Sequence, residues 1–471
     1  MNLLLSLVLF SAASFYLVSR THERALYVLY VVAFLQNLIV PFLYTSGVVG
    51  TSTSLALIIL KELLLLALFL YSLRVLKESD FPWPKALRVL LWFTIYCSAR
   101  GLIAFLGGDR DGESLRILRQ VCYPMQIFTV GFAIAASRPE FTRRFIRRMM
   151  IFLVSLALVG ILMFASIGTD FWVNYVNVAA YNIDVKGEDP ALQDMENGVS
   201  ATGQGRNEFG FLSEFRAMGT FGDPIAMGFA ISLPILLFLL YYPLDRFGVV
   251  SVGILLLALF LTFTRSAWIY ATVSGSLVLF FRRQYKVLLA AVAAVCVFAL
   301  IFSPLASFIS STLAGAGDSD YQHTQGVTGF YTKAFSDPGN LFGKGLPPDV
   351  QKIPESGYAY LLEHFGLAAL ILFVWFHVCL YQHLARARAE NKAMAQIGQV
   401  QCVASLVTLH FSQYPLGFIP YLFIWFYLGA SMLSVSPEVS QAPSTNPKNL
   451  PGIGQRMLPN ISSRPTLGLD E

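Results

Sequence analysis

The chain predicts an all-α, polytopic membrane protein, and three observations carry that fold class. Of 471 residues, 56% are apolar and only 13% are charged, whereas soluble domains carry about 25% charged residues. Mean hydropathy is +0.61. Apolar runs of about 17 to 25 residues recur along nearly the whole length, each long enough to cross a hydrocarbon core of about 30 Å as a helix. A large soluble core does not need 18 or so uncharged positions in succession, so that alternative fails on run length.

In chain order, spans are expected at roughly 2–19, 25–43, 54–73, 88–106, 121–136, 149–167, 224–242, 248–263, 266–281, 287–304, 357–380, 397–412 and 417–434, about 13 within a range of 11 to 14. The first run lacks a positive n-region and reads as a retained helix rather than a cleaved signal peptide. Residues 1–435 read as a single transmembrane domain in the lipid bilayer. Residues 436–471, rich in Pro, Ser, Asn and Gly, bury too little surface to offset their ordering entropy and are expected to form a disordered cytoplasmic tail. Five cysteines without a CxxC pair indicate neither a disulfide framework nor a zinc site.

Orientation follows from lysine and arginine in alternate loops. Arg20 and Arg24, Arg74 to Arg88, Arg138 to Arg148, Arg246, Arg282 to Lys286 and Arg386 to Lys392 fall in short loops expected on the cytoplasmic side. This placement explains the net charge of +5 without a nucleic-acid partner, because no basic stripe with interleaved aromatics lies outside the helices. The opposite side receives two long segments, 168–223 and 305–356, longer than connectors need to be and therefore candidates for function.

Three polar places on that outer side attract chemistry. In the first, Arg216 precedes Gly219, Gly222 and Pro224, which open an apolar helix. The bland reading of Arg216 is a solvated loop arginine. The glycines permit close backbone approach, Pro224 suits a first helical turn, and a helix N-terminus beside a guanidinium binds anions. In the second, Arg265 in LTFTRSAW joins two apolar runs as a tight hairpin, either as an interfacial anchor beside Trp268 or as an inward ligand. Arg119, at the outer end of the fifth helix, could add a further cation. In the third, PPDVQKIPESGY leads into a helix, with Glu355 at its mouth as a cap or as a base, and Tyr358 and His364 following. His323, in a preceding loop with Asp318, Asp320, Tyr321 and Tyr331, is a weaker candidate, as is His364, which also reads as a core histidine.

In order and spacing, R-x-x-G-T-F-x-x-P opening a helix, T-x-T-R-S-A-W joining two helices, and a G-x-G loop (Gly343, Gly345) before Y-L-L-E-x-F-G-L resemble the O-antigen ligase and polymerase superfamily of bacterial polysaccharide assembly. The resemblance covers about 210 to 375 by motif. It implies a GT-C-like fold, residence in the inner (cytoplasmic) membrane, and periplasmic placement of 168–223 and 305–356. It also implies a metal-independent, inverting glycosyltransferase without cofactor, acting on an undecaprenyl-diphosphate-linked glycan. Arg216 and Arg265, with Gly219, Arg119 and Tyr358 around them, would hold the diphosphate and glycan. Ligases of this family show His-Asn where this chain has Glu355-Ser356, which favours a polymerase of exopolysaccharide or O-antigen over a ligase acting on the lipid A core of lipopolysaccharide. Glu355 is then the first choice as base, ahead of His364 and His323. A polymerase would work beside a flippase and a chain-length regulator. From another class, a flippase or exporter of the same lipid-linked glycan is the alternative.

Overall fold

The computed structural model describes residues 3–79, 82–106, 113–167, 171–185, 193–194, 199–200, 216–240, 245–281, 283, 339, 342–343, 356–387, 392–410, 412 and 414–434. Among them the architecture is helical apart from one antiparallel pair of two-residue strands, β1 (Gln193–Asp194) and β2 (Val199–Ser200). The expected helix at 287–304, the residues His323 and Glu355, and the tail at 436–471 lie outside the described residues.

The helices are α1 (Leu3–Thr45), α2 (Thr51–Glu78), α3 (Lys85–Leu106), α4 (Glu113–Ser137), α5 (Pro139–Leu162), α6 (Val178–Asp184), α7 (Pro224–Leu240), α8 (Arg246–Leu261), α9 (Arg265–Phe281), α10 (Gly357–Phe365), α11 (Leu367–Leu384), α12 (Lys392–Leu409) and α13 (Phe418–Ser431). Among the described residues, five stretches are long and apolar enough to cross a membrane: Leu7–Thr45, Thr51–Glu78, Lys85–Ile103, Pro139–Ser166 and Leu367–Leu384. Three shorter apolar helices join them, at Pro224–Leu240, Arg246–Leu261 and Ile419–Ser431. This is a helical membrane protein by the length and composition of its helices.

Several boundaries differ from expectation: α4 and α5 begin at Glu113 and Pro139 rather than near 121 and 149, and α6 falls where no helix was expected. The first two expected helices run together as α1 and part only at Thr21, whose φ of −151° and ψ of 63° interrupt the helix within the polar run Ser19 to Arg24. The helix expected at 357–380 is broken at Gly366, where φ is +84°, a value that favours glycine. α10 is therefore a separate nine-residue helix rather than the first turns of α11.

Small residues and aromatics hold the bundle. A Cβ at Gly131 of α4 would collide with the Phe426 carbonyl of α13, and one at Gly429 of α13 with the Phe128 carbonyl of α4. Such reciprocal close approach is how helices associate where lipid removes the hydrophobic drive between them. Tyr30 is buried among Phe34, Phe145, Phe423 and Phe426, and its hydroxyl donates to the Leu422 carbonyl at 3.2 Å.

Contacts between helices define two ends. At one, Arg138 pairs with Glu23 at 3.4 Å, Arg148 donates to the Tyr27 hydroxyl at 3.3 Å, Lys85 lies over the Trp375 ring, and His383 meets the Met432 carbonyl at 2.9 Å. This end gathers the basic loops. The other end receives the start of α7, the turn between α8 and α9, α10, and the end of α12. There Asn37 of α1 donates to the Phe221 carbonyl at 2.6 Å, and the Tyr44 hydroxyl to Asp184 at 3.0 Å.

Candidate functional site

The first two arginine motifs are joined directly. Arg216 donates from Nε to the Thr262 carbonyl at 2.8 Å and from Nη2 to Thr264 Oγ1 at 2.5 Å. The neighbouring Ala217 amide donates to the Leu261 carbonyl at 2.9 Å. The segment at 216–217 is thereby laid along the turn Thr262-Phe263-Thr264, which closes the hairpin expected between α8 and α9. Phe263 adopts φ +46°, a left-handed conformation that costs a non-glycine residue roughly 1–2 kcal/mol. Its buried ring and the surrounding bonds hold it there.

Arg265, the first residue of α9, is exposed. Beneath it Trp268 donates from Nε1 to the Leu259 carbonyl at 2.9 Å and stacks on Phe260 with ring centroids 5.8 Å apart. The two motif arginines thus differ in character. Arg216 is half-buried and bonds Thr262 and Thr264, whereas Arg265 is exposed at that end.

Gly219 and Gly222 take φ of +52° and +63°. A Cβ at Gly219 would lie 3.2 Å from Gly160 Cα, and one at Gly222 would lie 3.2 Å from Asn37 Cβ. The turn therefore packs on α5 and α1 by close backbone approach. The expectation of open amides at the start of α7 is corrected here. Pro224 has no N–H, and the Ile225 amide donates to Asp223 Oδ1 at 2.8 Å, so the helix carries its own carboxylate cap. A carboxylate at that point opposes rather than attracts a second anion.

The third block enters through α10. Ser356, not Glu355, is the cap: its Oγ accepts from the Ala359 amide at 3.4 Å and donates to the Leu409 carbonyl at 3.2 Å. Tyr358 donates to the Leu406 carbonyl at 2.6 Å. Both carbonyls belong to α12, which packs on α9 and is tied to it by a buried hydrogen bond from the Tyr270 hydroxyl to Gln401. The third motif is in this way attached to the helix that begins with Arg265.

His364 occupies the last turn of α10 at 2% exposure, with its ring 4.6 Å from that of Tyr360. That is the core placement, and it removes His364 from surface chemistry. Arg119 pairs with Glu62 of α2 at 3.0 Å. Arg119 therefore arrives with its charge already matched. His323 and Glu355 lie outside the described residues, so neither candidate base has a described position.

Two groups escaped the sequence reading. Lys61 and Glu62 sit side by side inside the apolar run of α2, about ten residues or roughly 15 Å from its start at Thr51. Lys61 is buried and donates from Nζ to Gln36 Oε1 at 2.9 Å and to the Ile58 carbonyl at 3.1 Å. Arg100 of α3 donates from Nη2 to the Gly343 carbonyl at 2.5 Å. The signal for both was present, since charge within an apolar span is costly and marks a partner or a role. Among the described residues, no three His, Cys, Asp and Glu side chains are grouped to hold a metal ion. No protein-family model, no curated protein and no solved structure matches this chain.

Proposed function

We propose that the protein is a polysaccharide polymerase of the O-antigen ligase and polymerase type, with about 13 spans, acting at the outer, periplasmic face of a bacterial inner membrane. It would join undecaprenyl-diphosphate-linked repeat units. The observation that carries this reading is the direct bonding of Arg216 to Thr262 and Thr264, beside Arg265, at the bundle end opposite the basic loops. An exposed guanidinium at that end suits a lipid-borne phosphate, with charge-assisted bonds worth about 1.5–3 kcal/mol each.

In the proposed step an acceptor sugar hydroxyl attacks the anomeric carbon of a glycan on its carrier. The new C–O bond forms as the bond from that carbon to the diphosphate oxygen breaks. The electron pair leaves with the diphosphate, the configuration inverts, and the hydroxyl proton passes to a base, with Glu355 the candidate. Arg265 stabilises the charge that grows on the departing diphosphate. Arg216, engaged with Thr262 and Thr264, acts chiefly by shaping the turn that presents Arg265. Purified protein given lipid-linked repeat units should yield ladders of longer glycan and free carrier diphosphate. Absence of ladders with an active, folded preparation overturns the reading.

A second reading has its own observation. A buried Lys61 bonded to Gln36, next to a Glu62–Arg119 pair, places charge deep in the bundle, as exporters of charged cargo require. A flippase or exporter would move lipid-linked glycan across vesicles without lengthening it, so the same preparation separates the two.

A further inference from the structure

Arg100 lies half-buried on α3, one turn beyond Tyr96 on the same face. Tyr96 donates to the Phe365 carbonyl at 3.0 Å and Arg100 to the Gly343 carbonyl at 2.5 Å. Gly343, at φ +77°, lies against the junction of α10 and α11, where an added Cβ would come within 2.6 Å of Gly366 N and Phe365 C, and 2.8 Å of His364 O. The two side chains thus hold carbonyls on both strands of one backbone crossing. The other end of α10 is held by Ser356 and Tyr358 on α12, and its middle by Tyr360, whose hydroxyl meets Gln120 of α4 at 3.5 Å. α10 is gripped from three helices.

A guanidinium within an apolar span costs free energy, and one bond to a carbonyl among the described residues is a small return for a side chain with five donors. Arg100 Nε is buried without a hydrogen-bond partner among the described residues. An apolar residue would pack there at lower cost, so packing alone does not account for this arginine.

We propose that Arg100 is a positioning residue for the candidate site. With Tyr96 it clamps the Gly343 turn onto the junction of α10 and α11, and so sets how α10 presents Ser356 and Tyr358 beside α12. The activity arm of the test rests on the polymerase reading; the stability arm does not.

The test takes the full-length protein, purified in detergent, with Arg100→Ala, Arg100→Lys, Gly343→Ala and the Arg100→Ala/Gly343→Ala double variant. Melting temperature is measured for each, together with kcat and KM for a lipid-linked repeat unit. Arg100→Ala is expected to lower kcat per folded molecule about tenfold with KM within about twofold, the mark of a group that acts through geometry rather than substrate binding. Arg100→Lys should recover part of the loss, because an ammonium still donates to one carbonyl. The double variant should be little worse than the poorer single one, since the Cβ that forces residue 343 off the junction also carries its carbonyl away from Arg100. Additive losses in melting temperature and rate overturn the clamp. A raised KM with unchanged kcat makes Arg100 a substrate ligand and overturns the positioning role. If the wild-type protein does not polymerise, the polymerase reading fails, and the melting-temperature cycle alone still decides the clamp by the same additivity criterion.

Discussion

Arg216 reaches across 46 residues of chain to the Thr262 carbonyl, at 2.8 Å. With the bond to Thr264 Oγ1, this makes it a strut between the segment before α7 and the turn before α9. The two arginine motifs thereby form one unit, and a change at either end should be felt at the other.

Thr264→Val deletes the hydroxyl that accepts from Arg216 and keeps the shape. Loss of one hydrogen bond to a charged group costs about 1.5–3 kcal/mol in buried settings, and less at this half-buried one. A lower melting temperature is expected, and Thr264→Val should cost less in an Arg216→Ala background, where only its own bond to the Thr262 carbonyl at 3.1 Å is left to lose. Equal effects in both backgrounds contradict the strut.

Gly219→Ala forces a side chain into a left-handed backbone at φ +52°, with its Cβ 3.2 Å from Gly160 Cα. The conformational penalty alone is about 1–2 kcal/mol. Thermal denaturation should show a clear loss, larger than for alanine at Gly253, where an added Cβ meets nothing within 4 Å but helix propensity favours alanine.

Glu62→Ala leaves Arg119 without its partner across α2 and α4. The pair is neither fully buried nor fully exposed, so a cost of about 1–3 kcal/mol is expected, between the values for surface and buried pairs. The Glu62→Ala/Arg119→Ala protein should be more stable than Glu62→Ala alone. A double variant that melts lower by the sum of both losses argues that the two residues act separately.

Tyr358→Phe removes a hydroxyl that bonds the Leu406 carbonyl at 2.6 Å and should cost about 1 kcal/mol in stability. Under the polymerase reading it should also slow glycan elongation, because α10 loses a tie to α12. Unchanged melting and unchanged rate would remove Tyr358 from the site.

Helix positions were legible in the chain because apolar run length and loop charge report directly on them, as at Thr51–Glu78 and Lys85–Leu106; the start of α5 at Pro139 was missed because its first turns carry four arginines. The arginine motifs were legible because glycine and proline punctuate them. Partners were not, since they depend on which helix faces which. Arg119 reads as an open cation until α2 brings Glu62 to it, and His364 reads as a candidate base until α10 turns it against Tyr360. The break at Gly366 was hidden because apolar residues continue on both sides. Lys61 and Glu62 were hidden because averaging over an apolar run hides two adjacent charges.

The most direct test of the central claim compares Arg265→Ala with wild-type protein in the polymerisation assay, with folding checked by melting temperature. Rates are compared per folded molecule, so that any loss of stability is separated from loss of chemistry. Loss of one donor to a developing oxyanion typically costs about 100- to 1000-fold in rate, and a fall of that order in ladder formation and carrier diphosphate release is predicted. An Arg265→Ala protein that folds and makes ladders at the wild-type rate contradicts the account.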